Sequence, residues 1–539
     1  MKKQRTTYIK NHLFPCVMLF ALVGIVTGII IFLFKIIASS VIRLSSILYA
    51  YVRANPQYLP LLLMGATLLG LIVSFILKRA RECRGGGIPT AIASIRGLIP
   101  LKWIQGIFVL FFSTLLTFLG GVPLGNEGPS VQMGTAAGKG ISKLLGKQRS
   151  LAWERYVMTG GACAGFATAT GAPLTGIMFA LEDAHRRFSP TIFMVAAMSV
   201  LTGSVTQNLL CLLFGVHMEG WSFSTHTILP PKYFWIAILI GGICGACAIL
   251  FTKLYERFRV LSKKTLKKIP FSIKIISIFV IVALLGFLCE DFLGSGHSLI
   301  HKILHGQRIW YILIVTLFVR ALLLLCANNE GISGGIFIPT LTFGAILAAL
   351  ISELILKMGA SIEEYYPVLI AIGMSSFLAA SSRTPITALL FSAEVLCGIE
   401  NTIPVGIGVI LAYVIVETSG ISSFTDSIIE AKNEHAHEGK EAVIINTHMT
   451  GMPNSFAVGQ EIRDILWPPT CTILSIDKHH SVSTTSQEGL GVGDVLHIHY
   501  QTYDPEYTFE QLQQILGEQT EDPTARIHFG DEKHIVPLD

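Results

Sequence analysis

Apolar runs of membrane-spanning length recur at residues 13–35, 59–77, 103–120, 190–214, 232–251, 273–289, 310–326 and 402–417. Each is close to the ~20 residues a helix needs to cross hydrocarbon. With 52% hydrophobic and only 14% charged residues in a chain of 539, the sequence reads as an all-α polytopic membrane protein. Further apolar pieces at 129–143, 157–169 and 336–350 carry Gly and Pro and are expected to be partial or broken helices. An enzyme is not expected, because no nucleophile–base pair or metal cluster lies in a soluble stretch, and no cofactor or resident metal is implied.

Orientation follows from the basic loops. Lys78, Arg79, Arg81 and Arg84 follow the second run, and Arg257, Arg259, Lys263, Lys264, Lys267 and Lys268 lie between the runs at 232–251 and 273–289. Both clusters are expected on the cytoplasmic side of the cell (inner) membrane, with both termini there. The net charge of +5 is then a matter of topology, and no nucleic-acid partner follows from it. Lys2, Lys3, Arg5 and Lys10 precede an apolar run too long for a signal peptide core, so the first helix is expected to be retained. The Cys244-x-x-Cys247 pair lies on a predicted spanning helix, which favours packing over redox or metal chemistry.

The chain repeats itself. Gly128-Pro129-Ser130-Val131-Gln132-Met133-Gly134 is echoed by Ile338-Pro339-Thr340-Leu341-Thr342-Phe343-Gly344, and the segment Ala172–Glu182 by Thr384–Glu394. Both echoes fall at an offset of about 210 residues, which predicts a duplicated unit with halves of about 10–214 and 228–420. If each half crosses an odd number of times, the copies are inverted and their Gly/Pro-rich segments meet near the midplane.

Three such segments are candidates for that meeting point: Gly85-Gly86-Gly87-Ile88-Pro89, Gly125-Asn126-Glu127-Gly128-Pro129 and Gly334-Gly335-Ile336-Phe337-Ile338-Pro339. A helix that begins inside the membrane leaves its first N–H groups unpaired and carries roughly half a positive charge there. Several of them converging would hold an anion. Glu127 stands among them, although an ionised group at membrane depth costs ~2.5–3.5 kcal/mol. A carboxylate can mimic a bound anion at a helix start and can also discharge itself by taking a proton.

In this order the three segments resemble the signature patterns G-S-G-I-P, G-[RK]-E-G-P and G-x-F-x-P of the CLC family of chloride channels and chloride/proton antiporters, over residues 10–433. The resemblance implies two inverted repeats with re-entrant helices, a homodimer in the lipid bilayer, and one anion pathway per subunit. It implies that Glu127 is the external gating and proton-carrying glutamate. Asp183 falls where family antiporters carry an internal proton acceptor, commonly Glu. The anion is expected at Gly86, Gly87, Ile88, Gly128, Ile336, Phe337 and Thr425. Glu182, matched by Glu394 in the other half, is expected to be structural.

Three departures loosen the resemblance. Gly86 replaces a Ser whose hydroxyl faces the ion in chloride-selective members, and Asn126 removes a positive charge beside the gate. Thr425, or Phe424 after a one-residue slip, stands where the family has an inner-gate Tyr. The expected activity is exchange of chloride, or a similar small anion, for protons. The alternative is a passive voltage- or pH-gated chloride channel. A fluoride-exporting branch also tolerates Asn before the gate, but it departs from the third pattern, which this chain keeps. A cation-transport regulator is the remote reading, because no carbonyl-lined filter is present.

From about residue 433 the composition turns polar. A linker at 434–440 is expected to lead into a small cytoplasmic α/β domain at 441–502, followed by an extension at 503–539. Predicted strands at 442–447, 471–476 and 495–500 and a predicted helix at 458–466 give the order β-α-β-β, which resembles the C-terminal subdomain of RCK (regulator of potassium conductance) modules. The resemblance implies ligand sensing, with a small-molecule regulator as partner. Residues 509–516 are expected to form a short amphipathic helix. Gly489-x-Gly491-x-Gly493 precedes a strand and suits a turn, and His497 and His499 share one strand face without a metal-site pattern.

Overall fold

The computed structural model describes residues 14–85, 87–144, 151–216, 223, 227–306, 309–453, 455–478, 481–483, 489–518 and 528–529. Among them nine helices are long and apolar enough to cross a membrane. Seven of the eight predicted runs fall on these nine, and the eighth is the 17-residue helix Trp103–Leu119. The first helix, Phe14–Ala54, has 41 residues and is therefore about 60 Å long. That is about twice the hydrocarbon thickness, so it must tilt strongly or project beyond the membrane.

Of the pieces expected to be partial or broken, none is interrupted internally: Glu127–Leu144, Leu151–Thr170 and Phe337–Lys357 are continuous helices, the first and third beginning at glycine-rich loops. Their glycines serve close approach instead of interruption, as in membrane helix pairs generally. A Cβ on Gly134 would stand 2.1 Å from the Gly161 carbonyl oxygen, and one on Gly344 would stand 2.2 Å from that of Gly373. The same helix crossing is thus built twice, once per repeat. The helix Tyr366–Ser382 supplies Gly373 and is almost wholly buried, and its modest hydropathy hid it in the sequence.

True breaks occur in the second echo. Pro173–Phe179 and Pro385–Phe391 are seven-residue helices, each running into a π-helical turn, Ala180–Ala184 and Ser392–Leu396. Each starts at a Pro, which needs no N–H partner at that position.

The two predicted basic clusters lie on the side of the tail. Lys432 Nζ donates to the Arg84 carbonyl at 2.7 Å, and Glu434 ion-pairs with Lys263 at 3.3 Å and Arg259 at 3.8 Å. The helix Phe424–Ala436 carries these contacts and runs three residues into the expected linker.

The tail is an antiparallel sheet of order β3-β2-β4-β1-β5, formed by β1 (Val443–Thr450), β2 (Thr472–Lys478), β3 (Ser481–Ser483), β4 (Val495–Thr502) and β5 (His528–Phe529). The predicted helix at 458–466 is absent. Only a turn of 3₁₀ helix forms at Ile462–Asp464, because this stretch is held by the membrane unit. Arg155 donates to the carbonyls of Leu466 and Trp467, Arg187 to that of Ile465, and the Tyr156 hydroxyl to that of Asp464. The helix Pro505–Leu516 buries Leu512, Ile515 and Leu516 against Ile445, Leu496 and Ile498. The amphipathic helix expected at 509–516 thus forms and packs on the small domain.

Candidate functional site

The second and third glycine-rich segments pair directly. The Gly125 N–H donates to the Gly335 carbonyl at 2.8 Å, and the Gly335 N–H donates back at 2.7 Å. The first segment joins through the Gly85 N–H on the Gly331 carbonyl at 2.7 Å. At Gly128 the three meet: a Cβ there would lie 2.6 Å from Cα of Gly335 and 2.7 Å from Cα of Gly87. No residue but glycine fits this crossing. It brings together the starts of the helices Ile88–Ile95, Glu127–Leu144 and Phe337–Lys357, whose dipoles favour an anion.

Glu127 is the first residue of its helix and is buried. The Asn126 side-chain nitrogen, oriented to satisfy both groups, donates to the two carboxylate oxygens at 2.8 and 3.1 Å. Lys35, from the middle of the first helix, acts on the same carboxylate electrostatically. Its Nζ is held by the carbonyls of Thr168 (3.2 Å) and Ala169 (2.9 Å) at the end of helix Leu151–Thr170.

A second feature lies on the tail side of the crossing. A cavity of ≈ 20 Å³ is lined by Ile88, Asp183, Ile336, Phe337, Phe424 and Thr425, among others. That volume suits one water or one small ion. The Thr425 hydroxyl donates to Ser382 Oγ at 3.4 Å, whereas the Phe424 ring packs on Phe251 and Tyr255 with centroids 4.9 and 5.1 Å away. Thr425 thus brings a hydroxyl to the cavity and Phe424 brings an apolar wall.

A sequence profile described as Voltage gated chloride channel matches residues 69–417, more than half of the chain. The chain belongs to the voltage-gated chloride channel family. It is 29% identical over 385 residues to a Vibrio vulnificus protein named H(+)/Cl(-) exchange transporter ClcA, covering 69% of this chain and 80% of that protein. Among solved structures, a slow cyanobacterial Cl-/H+ antiporter superposes with a TM-score of 0.70 at 22% identity, over 78% of this chain and 98% of that one. A CLC-type fluoride/proton antiporter gives 0.61 at 21%, over 77% and 97%. These likenesses establish the CLC fold.

On this CLC scaffold, five of the nine residues expected at the site line one cavity: Ile88, Asp183, Ile336, Phe337 and Thr425. Glu127, Gly87 and Gly128 stand at the loop crossing, and Gly86 lies outside the described residues. Gly87 differs from expectation, because its N–H donates to Gln132 Oε1 at 3.0 Å and is spent within the protein. The Nε2 of Gln132, fully buried, has no partner among the described residues. A buried amide donor left unpaired next to the loop crossing is a candidate ligand for a negatively charged group. Asp183 sits in the π-helical turn after the Ala172–Pro173 break. Its neighbours are engaged elsewhere: Arg186 pairs with Asp426 at 2.6 Å, Arg187 bonds the Ile465 carbonyl, and His185 bonds Thr159. The carboxylate of Asp183 is left to the cavity.

Sequence reasoning missed Lys35 and Gln132. Lys35 closes the apolar run at 13–35, and that was the available signal, since a charge at membrane depth needs a partner. Gln132 is four residues after Gly128, one helical turn, and so faces the same side as the crossing.

Proposed function

We propose that this protein exchanges chloride for protons across a membrane. The observation that carries the proposal is the single small cavity that Asp183 shares with the helix starts at Ile88 and Phe337. An anion there sees aligned N–H groups, while a proton can reside on a carboxyl group at the same void. Glu127 serves as the external gate: ionised, it occupies the anion position at its helix start, and protonated, it yields it. Asp183 receives the proton on the inner side, and Gln132 Nε2 joins the anion's donors. The Vibrio vulnificus relative bears the name of a chloride/proton exchanger, which supports this reading.

The remaining parts of the proposal rest on the two sequence resemblances, the membrane unit's and the tail's. The protein works as a homodimer in the plasma membrane with both termini cytoplasmic, and the tail is a regulatory unit similar to the RCK C-terminal subdomain. A passive channel is the second reading, favoured by Thr425, which offers no phenolic hydroxyl to close the inner side.

Purified protein in liposomes with a chloride gradient and the membrane potential clamped decides between them. An exchanger drives protons uphill, and Glu127→Gln and Asp183→Asn each abolish proton movement while chloride still passes. Asp183→Glu retains both fluxes. Uphill proton movement surviving in Glu127→Gln removes the mechanism, and its absence in the native protein favours the channel.

A further inference from the structure

A second cavity, of ≈ 250 Å³, lies on the seam between the membrane unit and the tail. The membrane unit contributes Arg96, Arg155, His185 and Arg187, and the tail contributes the segment from Leu466 to Cys471. No carboxylate lines it. The three guanidinium groups bond to backbone carbonyls: Arg96 to Asp183 and Ala184, Arg155 to Ile95, Arg96, Leu466 and Trp467, and Arg187 to Ile465. Carbonyls satisfy N–H groups but do not neutralise charge. Among the described residues none of the three forms an ion pair, whereas their neighbour Arg186 does, with Asp426.

Three cations facing one space whose lining holds no carboxylate create a positive potential there, moderated at Arg96 by Asp183 and Asp426 behind it. Each guanidinium has five donors, and these bonds leave most of those on Arg96 and Arg187 uncommitted. Planar forks of this kind match the tetrahedral oxygens of phosphate better than any monatomic ion. Chloride is too small to bridge a space of this size.

From this arrangement we infer a regulatory binding site for a phosphate group at the seam, distinct from the transport pathway. The phosphate belongs either to a soluble solute or to the headgroup of an anionic phospholipid. Occupancy bears on transport through Arg96, which caps the end of the helix Ile88–Ile95 and donates to the carbonyl of Asp183 at 2.9 Å. A ligand that draws on Arg96 therefore acts on both the helix whose start lines the anion cavity and the turn that carries the inner acid. It also ties the tail segment to the membrane unit.

The test uses the full-length protein with inorganic pyrophosphate as probe. Calorimetric titration in neutral detergent, against KCl of equal ionic strength, is expected to show one saturable site per chain. Arg187→Gln, which removes one cation of the site together with its bond to the Ile465 carbonyl, is expected to weaken it at least tenfold, and Arg187→Lys, which keeps the charge, by less. Chloride flux in phosphatidylcholine vesicles is expected to change at least twofold with pyrophosphate on the tail side. An effect seen instead only with 20% phosphatidylglycerol, and lost in Arg187→Gln, assigns the phosphate to lipid. Absence of saturable pyrophosphate binding together with an Arg187→Gln response identical to native in both vesicle types overturns the site. Because binding is read separately from proton coupling, failure here leaves the exchange reading standing, and the converse holds.

Discussion

Glu182 and Glu394 cap each other's helices across the repeat. Glu182 accepts from the N–H groups of Ile386 (2.8 Å) and Thr387 (2.6 Å) and from the Thr387 hydroxyl (2.6 Å). Glu394 accepts from Leu174 (2.7 Å), Thr175 (2.8 Å) and the Thr175 hydroxyl (2.6 Å). Each carboxylate follows one short helix and caps the start of the other, so the internal symmetry is visible in six hydrogen bonds. Glu182 precedes Asp183 in sequence, yet its chemistry is spent on structure.

That division of labour is testable. Glu182→Ala and Glu394→Ala each remove charge-assisted bonds to orphaned N–H groups. Each is expected to cost ~2–4 kcal/mol, with Gln variants costing less. Thermal unfolding in detergent should show equal losses at the two sites, and the chloride-to-proton ratio of the surviving protein should be native. A changed ratio in Glu182→Gln would move Glu182 into the proton path.

Lys35 offers a second test. Its ammonium holds two carbonyls and supplies positive potential at Glu127. Lys35→Met is expected to lower stability by ~1–3 kcal/mol and to raise the chloride KM measured from the Glu127 side several-fold. Lys35→Arg keeps the charge and is expected to keep the KM. An unchanged KM in Lys35→Met would confine Lys35 to helix capping.

What the sequence could reveal followed from how local each feature is. The three glycine-rich segments were legible because close backbone approach at Gly128 and Gly335 admits one residue type, and the repeat placed them in register. Glu127 stood out as an acid without a local reason to be there, whereas Asp183 was reached only through the family resemblance. Lys35 was not legible as part of the site, because 92 residues separate it from Glu127 and only the fold joins them. The break assigned to 336–350 failed for a physical reason: Pro339 lies in the first turn of the helix, where it is tolerated, and Gly344 serves the close crossing with Gly373. The helix expected at 458–466 failed because contacts from Arg155, Tyr156 and Arg187 outweigh a weak local propensity.

Gln132 accepts from the Gly87 N–H, and two substitutions test the proposed part of its Nε2 in anion binding. Gln132→Leu removes the acceptor of the Gly87 N–H and the unpaired donor together, and is expected to weaken chloride binding about tenfold, ~1.4 kcal/mol. Gln132→Glu keeps an acceptor for Gly87 but offers a negative charge to the anion, and is expected to abolish chloride binding measured by calorimetry. Equal binding in native protein and Gln132→Glu would exclude Gln132 from the anion site.

Cys471 reports on docking of the tail. Burial at the seam pushes its thiol up to about 12 from an ordinary value of 9, although nearby Arg155 pulls the other way. The raised value means that the docked state holds the proton more tightly than the undocked state. This contribution to docking is therefore complete below about pH 9 and is lost progressively as pH rises toward 12. Alkylation proceeds through the thiolate, so in the docked protein Cys471 is expected to react with iodoacetamide about a thousandfold more slowly at pH 8 than a free thiol. The rate should climb about tenfold per pH unit up to pH 11, whereas a denatured control levels off above pH 9. Arg155→Gln removes the carbonyl bonds to Leu466 and Trp467 that hold the segment, and is expected to release Cys471 toward the control rate. Mass-spectrometric labelling of Cys471 reads both effects, and a native rate equal to the control at pH 8 would show that the tail leaves this seam in solution.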